Sequence, residues 1–191
     1  MIRYRSSRGL NLGPVEVLIS INLLLFIATI INGDLIYVFG LQTTSFLERP
    51  WTIITNMFIH GGLGHIFANM FTLYFFGSNL LELMGRKYFL IVYFCGGILG
   101  NVLFMLLANP FAVAIGASGA VFAVGGALTV LRPNLKVIIF PLPIAIPLWV
   151  AVIGGFLIMS SPGIAWQAHL GGLIFGLAAG YYFRRWGRRP Y

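Results

Sequence analysis

"GASGAVFAVGGALTVLR", residues 116–132, decides how the rest of the chain is read. Its apolar run opens on Ser118, set between glycines, and ends at Arg132, in a chain that is 59% hydrophobic and 8% charged. Among so many apolar residues an isolated hydroxyl costs free energy unless something hydrogen-bonds it. Nothing nearby in sequence can, so its partner must come from elsewhere in the chain.

Outward from this run, apolar stretches recur at 17–32, 63–83, 88–108, 118–131, 145–160 and 166–183. A bilayer core about 30 Å thick takes roughly 20 apolar residues per helix. A mean hydropathy of +0.94 and 17 Phe in 191 residues do not suit a soluble surface. The stretches are continuously apolar rather than alternating, which favours helices over a barrel. The expected fold is an all-α polytopic membrane protein with six transmembrane helices. Residues 1–191 form a single membrane-embedded domain, with 1–14 as a cytoplasmic N-terminal segment and 185–191 as a cytoplasmic tail.

The net charge of +8 raises the possibility of a nucleic-acid partner, but its distribution argues for topology. Arg3, Arg5 and Arg8 precede span 1, Arg86 and Lys87 follow span 2, Arg132 and Lys136 follow span 4, and four arginines follow span 6. Arg49 alone lies opposite. The positive-inside bias puts both termini in the cytoplasm and leaves no basic patch interleaved with aromatics for nucleic acid. "MIRYRSSRGL" resembles the start of a signal peptide, but no small-residue cleavage site precedes "INGD", so span 1 is read as retained. Cys95 is the only cysteine and permits no internal disulfide.

Depth then supplies the partner. Spans 4 and 6 both run from outside to inside, Ser118 lies 14 residues before Arg132, and His169 lies 15 before Arg184. At 1.5 Å per residue both sit roughly 21–23 Å above the cytoplasmic end, about 10 Å below the outer surface of the core. His169, Gly172, Gly176 and Gly180 share one stripe of span 6. Ser118, Phe122, Gly125 and Gly126 are expected on one side of span 4. A glycine stripe by itself most often just packs two helices closely. Ser and His at one height on such stripes point further, to a hydroxyl activated by a neutral imidazole. Glu16, Asp34, Glu48 and Glu82 lie away from this depth, so a dyad is expected, with Phe122 packed on the imidazole in place of a carboxylate.

In "HGGLGHIFANM", His65 and Asn69 are spaced i, i+4 and project from one face at the outer end of span 2. Both can donate to an oxyanion, as can the backbone N–H of Ser118, which Gly116 and Gly119 flank closely. His60 precedes the helix and is read as a tie for the loop. Three histidines in the outer half also raise a zinc site. No carboxylate or thiol is positioned to assist, and 60 and 65 do not share a helix face, so no metal and no cofactor are expected.

Together these residues resemble the rhomboid family of intramembrane serine proteases, in its minimal six-span prokaryotic-type form. The likeness rests on "WTIITNMFIHGGLGHIFANM" from Trp51, "GASG" around Ser118 and "AHLGGLIFG" around His169, and runs from about residue 14 to 184. It implies Ser118 as nucleophile and His169 as general base in a rhomboid-like bundle. His65 and Asn69 would stabilise the oxyanion, His60 would be structural, and Gly172 and Gly176 would join spans 6 and 4. It also implies a membrane-embedded first loop at 33–62 and a gate in span 5 with "SSPGIAWQ". The substrates would be single-span proteins cut near the outer face, with membrane lipid as the other partner. A prokaryotic plasma membrane is the expected location. Thr52 stands where the family often has Arg, with Arg49 as the substitute, and Phe122 stands where it often has Tyr. A non-catalytic chaperone or adaptor of transmembrane clients is the alternative; a transporter fits less well, since no inverted repeat or internal carboxylate is visible.

Before span 5, Pro141, Pro143 and Pro147 rule out a regular helix. Residues 137–146 are expected to be irregular or interfacial, with Pro147 in the first turn of a short helix.

Overall fold

A computed structural model describes residues 12–138, 144–161 and 163–186. Pro141 and Pro143, the first eleven residues and the tail beyond Trp186 lie outside the described residues. The chain is mostly helical. Helix α1 (Pro14–Ile31) starts with Pro14 at its first position, where a missing N–H costs nothing. The first loop follows and is built rather than slack. It holds α2 (Leu35–Phe39), strand β1 (Leu41–Gln42), α3 (Thr52–Thr55) and 3₁₀ turns at Thr43–Ser45 and Asn56–Phe58.

Next comes a 45-residue helical run, Leu63–Leu107. It comprises α4 (Leu63–Thr72), a π-helical turn (Leu73–Gly77) and α5 (Ser78–Leu107). The expected spans 63–83 and 88–108 are its two arms. Only Gly85 separates them, with φ 75° and ψ 169°, a left-handed φ that glycine adopts without strain. The chain turns back there: a Cβ on Gly77 would lie 3.4 Å from the Phe89 ring, across the break. Strand β2 (Val113–Ala114) leads into α6 (Ser118–Leu131), and strands β3 (Lys136–Ile138) and β4 (Ala145–Pro147) lead into α7 (Leu148–Ile158). The last element is α8 (Trp166–Trp186).

By length and composition, α1 and the 63–107 run can cross a membrane. Of the remaining helices, α6 coincides with its apolar stretch, α8 runs three residues past its own, and α7 is shorter than expected. Helix α6, with 14 residues, extends about 21 Å, and α7, with 11, about 16 Å. The expected span 145–160 is thus shortened at both ends. The segment before it is not irregular where described: Val137 pairs with Ile146 and Ile138 with Ala145 in an antiparallel hairpin. Pro147 caps α7 from outside, with ψ 139°, rather than occupying its first turn.

The core lies where α8 wedges between α5 and α6. Small residues set the spacing. A Cβ on Gly172 would overlap the Gly119 carbonyl, and one on Gly176 the Ala123 carbonyl. One on Gly180 would lie 2.7 Å from the Ala127 oxygen. Against α5, a Cβ on Gly171 would come within 2.8 Å of the Gly100 Cα. The α8 stripe is therefore the one expected, but its counterpart on α6 is rotated by one residue. Gly119, Ala123 and Ala127 face α8, joined by Gly126 against Leu173, while Gly125 turns toward Val152 and Phe76. Alanine is small enough to serve where glycine was sought. Outside this core, Leu24, Phe67, Leu106 and Ile158 point outward, as expected of a surface solvated by lipid.

Candidate active site

Ser118 is the first residue of α6, so its N–H is among the orphan donors of a helix start. The approach to it is fixed from two sides. Leu41 pairs with Ala114 and Gln42 with Val113, tying the first loop to the strand just before the serine. Gln42 Nε2 also donates to the Phe111 carbonyl at 2.8 Å. Beyond β2, the Gly116 N–H donates to the Asn56 carbonyl at 2.9 Å. Gly116 has φ 117°, and a Cβ there would come 2.6 Å from His65 Nε2 and 3.7 Å from Ser118 Oγ. Both the backbone and the crowding require glycine. His65 and Ser118 thus flank one point.

On the α8 side, a Cβ on Gly119 would lie 3.2 Å from the Ala168 carbonyl oxygen. The next residue, His169, brings Nε2 to 2.7 Å from Ser118 Oγ. Both side chains are buried, Ser118 at 9% and His169 at 3% exposure. Phe122, one turn along α6, lies on the imidazole with ring centroids 4.9 Å apart and planes at 35°. Phe156 of α7 meets Phe122 edge-on at 6.1 Å, so the short helix packs on the ring that holds the histidine. Among the described residues no carboxylate bonds His169 Nδ1.

His60 is fully buried, and its Nε2 accepts from the Ala117 N–H at 3.5 Å. Burial, reinforced by nearby His65, pushes its pKa down to about 3, so the ring is neutral and can accept. Its ring lies 4.9 Å from that of His65. Among the described residues no three His, Cys, Asp or Glu side chains converge as a metal would need.

Asn69 differs from expectation in part. It is buried near the site, but its Nδ2 donates to the His65 carbonyl at 2.9 Å, within its own helix. One of its two N–H groups is thereby committed and one remains. In the first loop Arg49 is tied down by its own hydrogen bonds. It donates to the Tyr37 carbonyl and to Ser45 Oγ, while Thr52 Oγ1 donates to the Arg49 carbonyl at 2.7 Å and Trp51 Nε1 to Val38 at 3.2 Å.

Sequence reading missed a pair of buried amides behind the serine. Asn56 Nδ2 donates to Asn101 Oδ1 at 3.0 Å, and Asn101 Nδ2 donates to Asn56 Oδ1 at 2.8 Å and to the Ile53 carbonyl at 2.7 Å. The pair joins the first loop to α5, and Asn56 in turn holds Gly116. Asn101, a polar residue within an apolar span, was the available signal.

Comparison with known proteins agrees with this arrangement. The Rhomboid domain family model matches residues 47–186. Similar proteins include Rhomboid protein 1, mitochondrial, of Saccharomyces cerevisiae, 30% identical over 70% of this chain and 42% of that one. Rhomboid-like protease 3 of Toxoplasma gondii is 32% identical over 71% of this chain and 52% of its own. Rhomboid protease GluP of Bacillus subtilis is 30% identical over 84% of this chain and 33% of its own. The chain spans roughly half or less of the length of these curated relatives. It belongs to the rhomboid family and is a membrane protein. The relatives carry mitochondrial as well as bacterial names, which gives no support to a prokaryotic plasma membrane in particular.

Proposed function

We propose that this chain is an intramembrane serine endopeptidase working through a Ser118–His169 dyad. The observation that carries the reading is the buried 2.7 Å contact between Ser118 Oγ and His169 Nε2. A serine hydroxyl becomes nucleophilic when a positioned base takes its proton. His169 Nε2 accepts that proton as Oγ attacks the scissile carbonyl carbon, then returns it to the departing amine. Water hydrolyses the acyl-enzyme by the same exchange. His65, the Ser118 N–H and the remaining Asn69 N–H stabilise the oxyanion in a water-poor pocket. His60, Gly119, Gly172 and Gly176 support the site, and the chemistry asks for no metal or cofactor.

The chain is read as six spans in one domain, both termini cytoplasmic, in a prokaryotic plasma membrane. Spans as short as α6 and α7 start within the bilayer, so the serine meets a substrate helix below the outer surface. Single-span membrane proteins are the proposed substrates. Purified protein incubated with a panel of such proteins should release fragments whose masses map one cut near the outer face, and Ser118→Ala should release none. Binding of the same proteins without cleavage under any lipid condition would replace this reading with that of a non-catalytic adaptor.

A further inference from the structure

Away from Ser118, a cavity of about 360 Å³ lies in the cleft between the second arm of α5 and the last turns of α8. Met84, Tyr88, Ile91, Phe175, Ala179 and Tyr182 line it, almost entirely with apolar atoms. Its size falls within the roughly 300–1,000 Å³ usual for ligand sites. Any such cleft on a membrane helix fills with lipid tails. What distinguishes this one is its mouth.

Along α5, Lys87 lies one turn before Ile91 on the cleft face. Along α8, Arg185 lies three residues after Tyr182, again on the cleft face. Arg86 and Arg184 adjoin them, so four exposed cations stand at one end of an apolar groove. Arg184 leans toward α6, donating to the Val130 carbonyl at 3.3 Å, and Arg185 donates to the Tyr181 hydroxyl at 3.0 Å on the turn beside Tyr182. Aromatic rings mark the same level. Tyr88 meets Phe183 edge-on at 5.3 Å, and Tyr182 lies 5.3 Å from Trp186. Amphipathic rings of this kind sit at lipid headgroup depth.

We propose that this cleft binds one acyl chain of an anionic glycerophospholipid. Lys87 and Arg185 hold its headgroup phosphate, and Arg86 and Arg184 add to the field. Basic pockets between helices on the cytoplasmic side bind such headgroups. The groove supplies the tail contact, and the cations select the head. The proposal does not depend on proteolysis.

Native mass spectrometry of the protein released from detergent with equimolar phosphatidylglycerol and phosphatidylcholine tests it. We expect one retained phosphatidylglycerol, favoured at least about fivefold, since each cation near an anionic surface contributes about that factor. The exposed pair Lys87→Gln with Arg185→Gln should lower the ratio at least about fivefold without loss of thermal stability. Filling the groove with Ala178→Phe and Ala179→Leu should remove the bound lipid. Equal retention of both lipids by the unaltered protein would overturn the proposal. So would a preference undiminished by the double neutralisation, or displacement of phosphatidylglycerol by equal concentrations of glycerol 3-phosphate.

Discussion

Ser118 and His169 lie 51 residues apart and meet at 2.7 Å because α8 is pressed against α6 by residues without side-chain bulk. In the proposed dyad each residue is useless without the other. Ser118→Ala and His169→Ala should therefore each abolish cleavage in single-turnover assays, and the double variant should be no slower than either. A much slower double variant would mean that the two act separately. Gly116 is equally exposed to test. Gly116→Ala must hold φ near 117° and push a methyl toward His65 Nε2, a strain of about 1–3 kcal/mol. Since a shift of about 1 Å near the chemistry costs on the order of a hundredfold, turnover should fall by that factor. A variant as fast as the parent would show that the loop tolerates movement. At this scale the meeting of Ser118 and His169 was legible, because position along two parallel helices is arithmetic on rise per residue. The direction of the Asn69 amide was not, since a side chain one turn from a free carbonyl can bond its own helix.

Helices succeed or fail here by the distance between their backbones. Gly172→Val puts a branched side chain where the Gly119 carbonyl already sits. It should lower Tm, with overpacking costing about 1–3 kcal/mol, and slow cleavage although it touches no reacting atom. Parental Tm and rate together would contradict the stripe. Asn101→Leu should destabilise by about 1–3 kcal/mol in reversible unfolding, because it leaves the Asn56 amide and the Ile53 carbonyl buried without partners. An unchanged stability would mean that the amide pair ties nothing. The row Gly172, Gly176 and Gly180 was readable because glycine in a span stands out. Its partner row was misplaced by one residue because Ala123 and Ala127 do not. The β1–β2 pairing was illegible for a different reason: two strands of two residues each, with the first helical hairpin between them, carry no periodicity. The prolines before α7 announced that no helix could run there, but not that the flanks of 139–143 would pair.

For the whole molecule, the positions of the basic residues along the chain and the heights of the polar residues agree on one arrangement. In the proposed reading charge orients the helices and short α6 and α7 begin inside the bilayer, while the first loop pairs with the strand that delivers Ser118. The family was visible from three motifs in order, and a mostly helical chain from its apolar stretches. The structured first loop became visible only in three dimensions, since its strand pairs across a gap of some 70 residues. What remains to be measured is whether the buried serine is activated. A fluorophosphonate probe applied to the protein in native membranes, followed by peptide mass mapping, reads that directly. The account predicts a single adduct on Ser118 that disappears in His169→Ala while the variant keeps its Tm. No adduct in the unaltered protein, or undiminished labelling of Ser118 without His169, would contradict it.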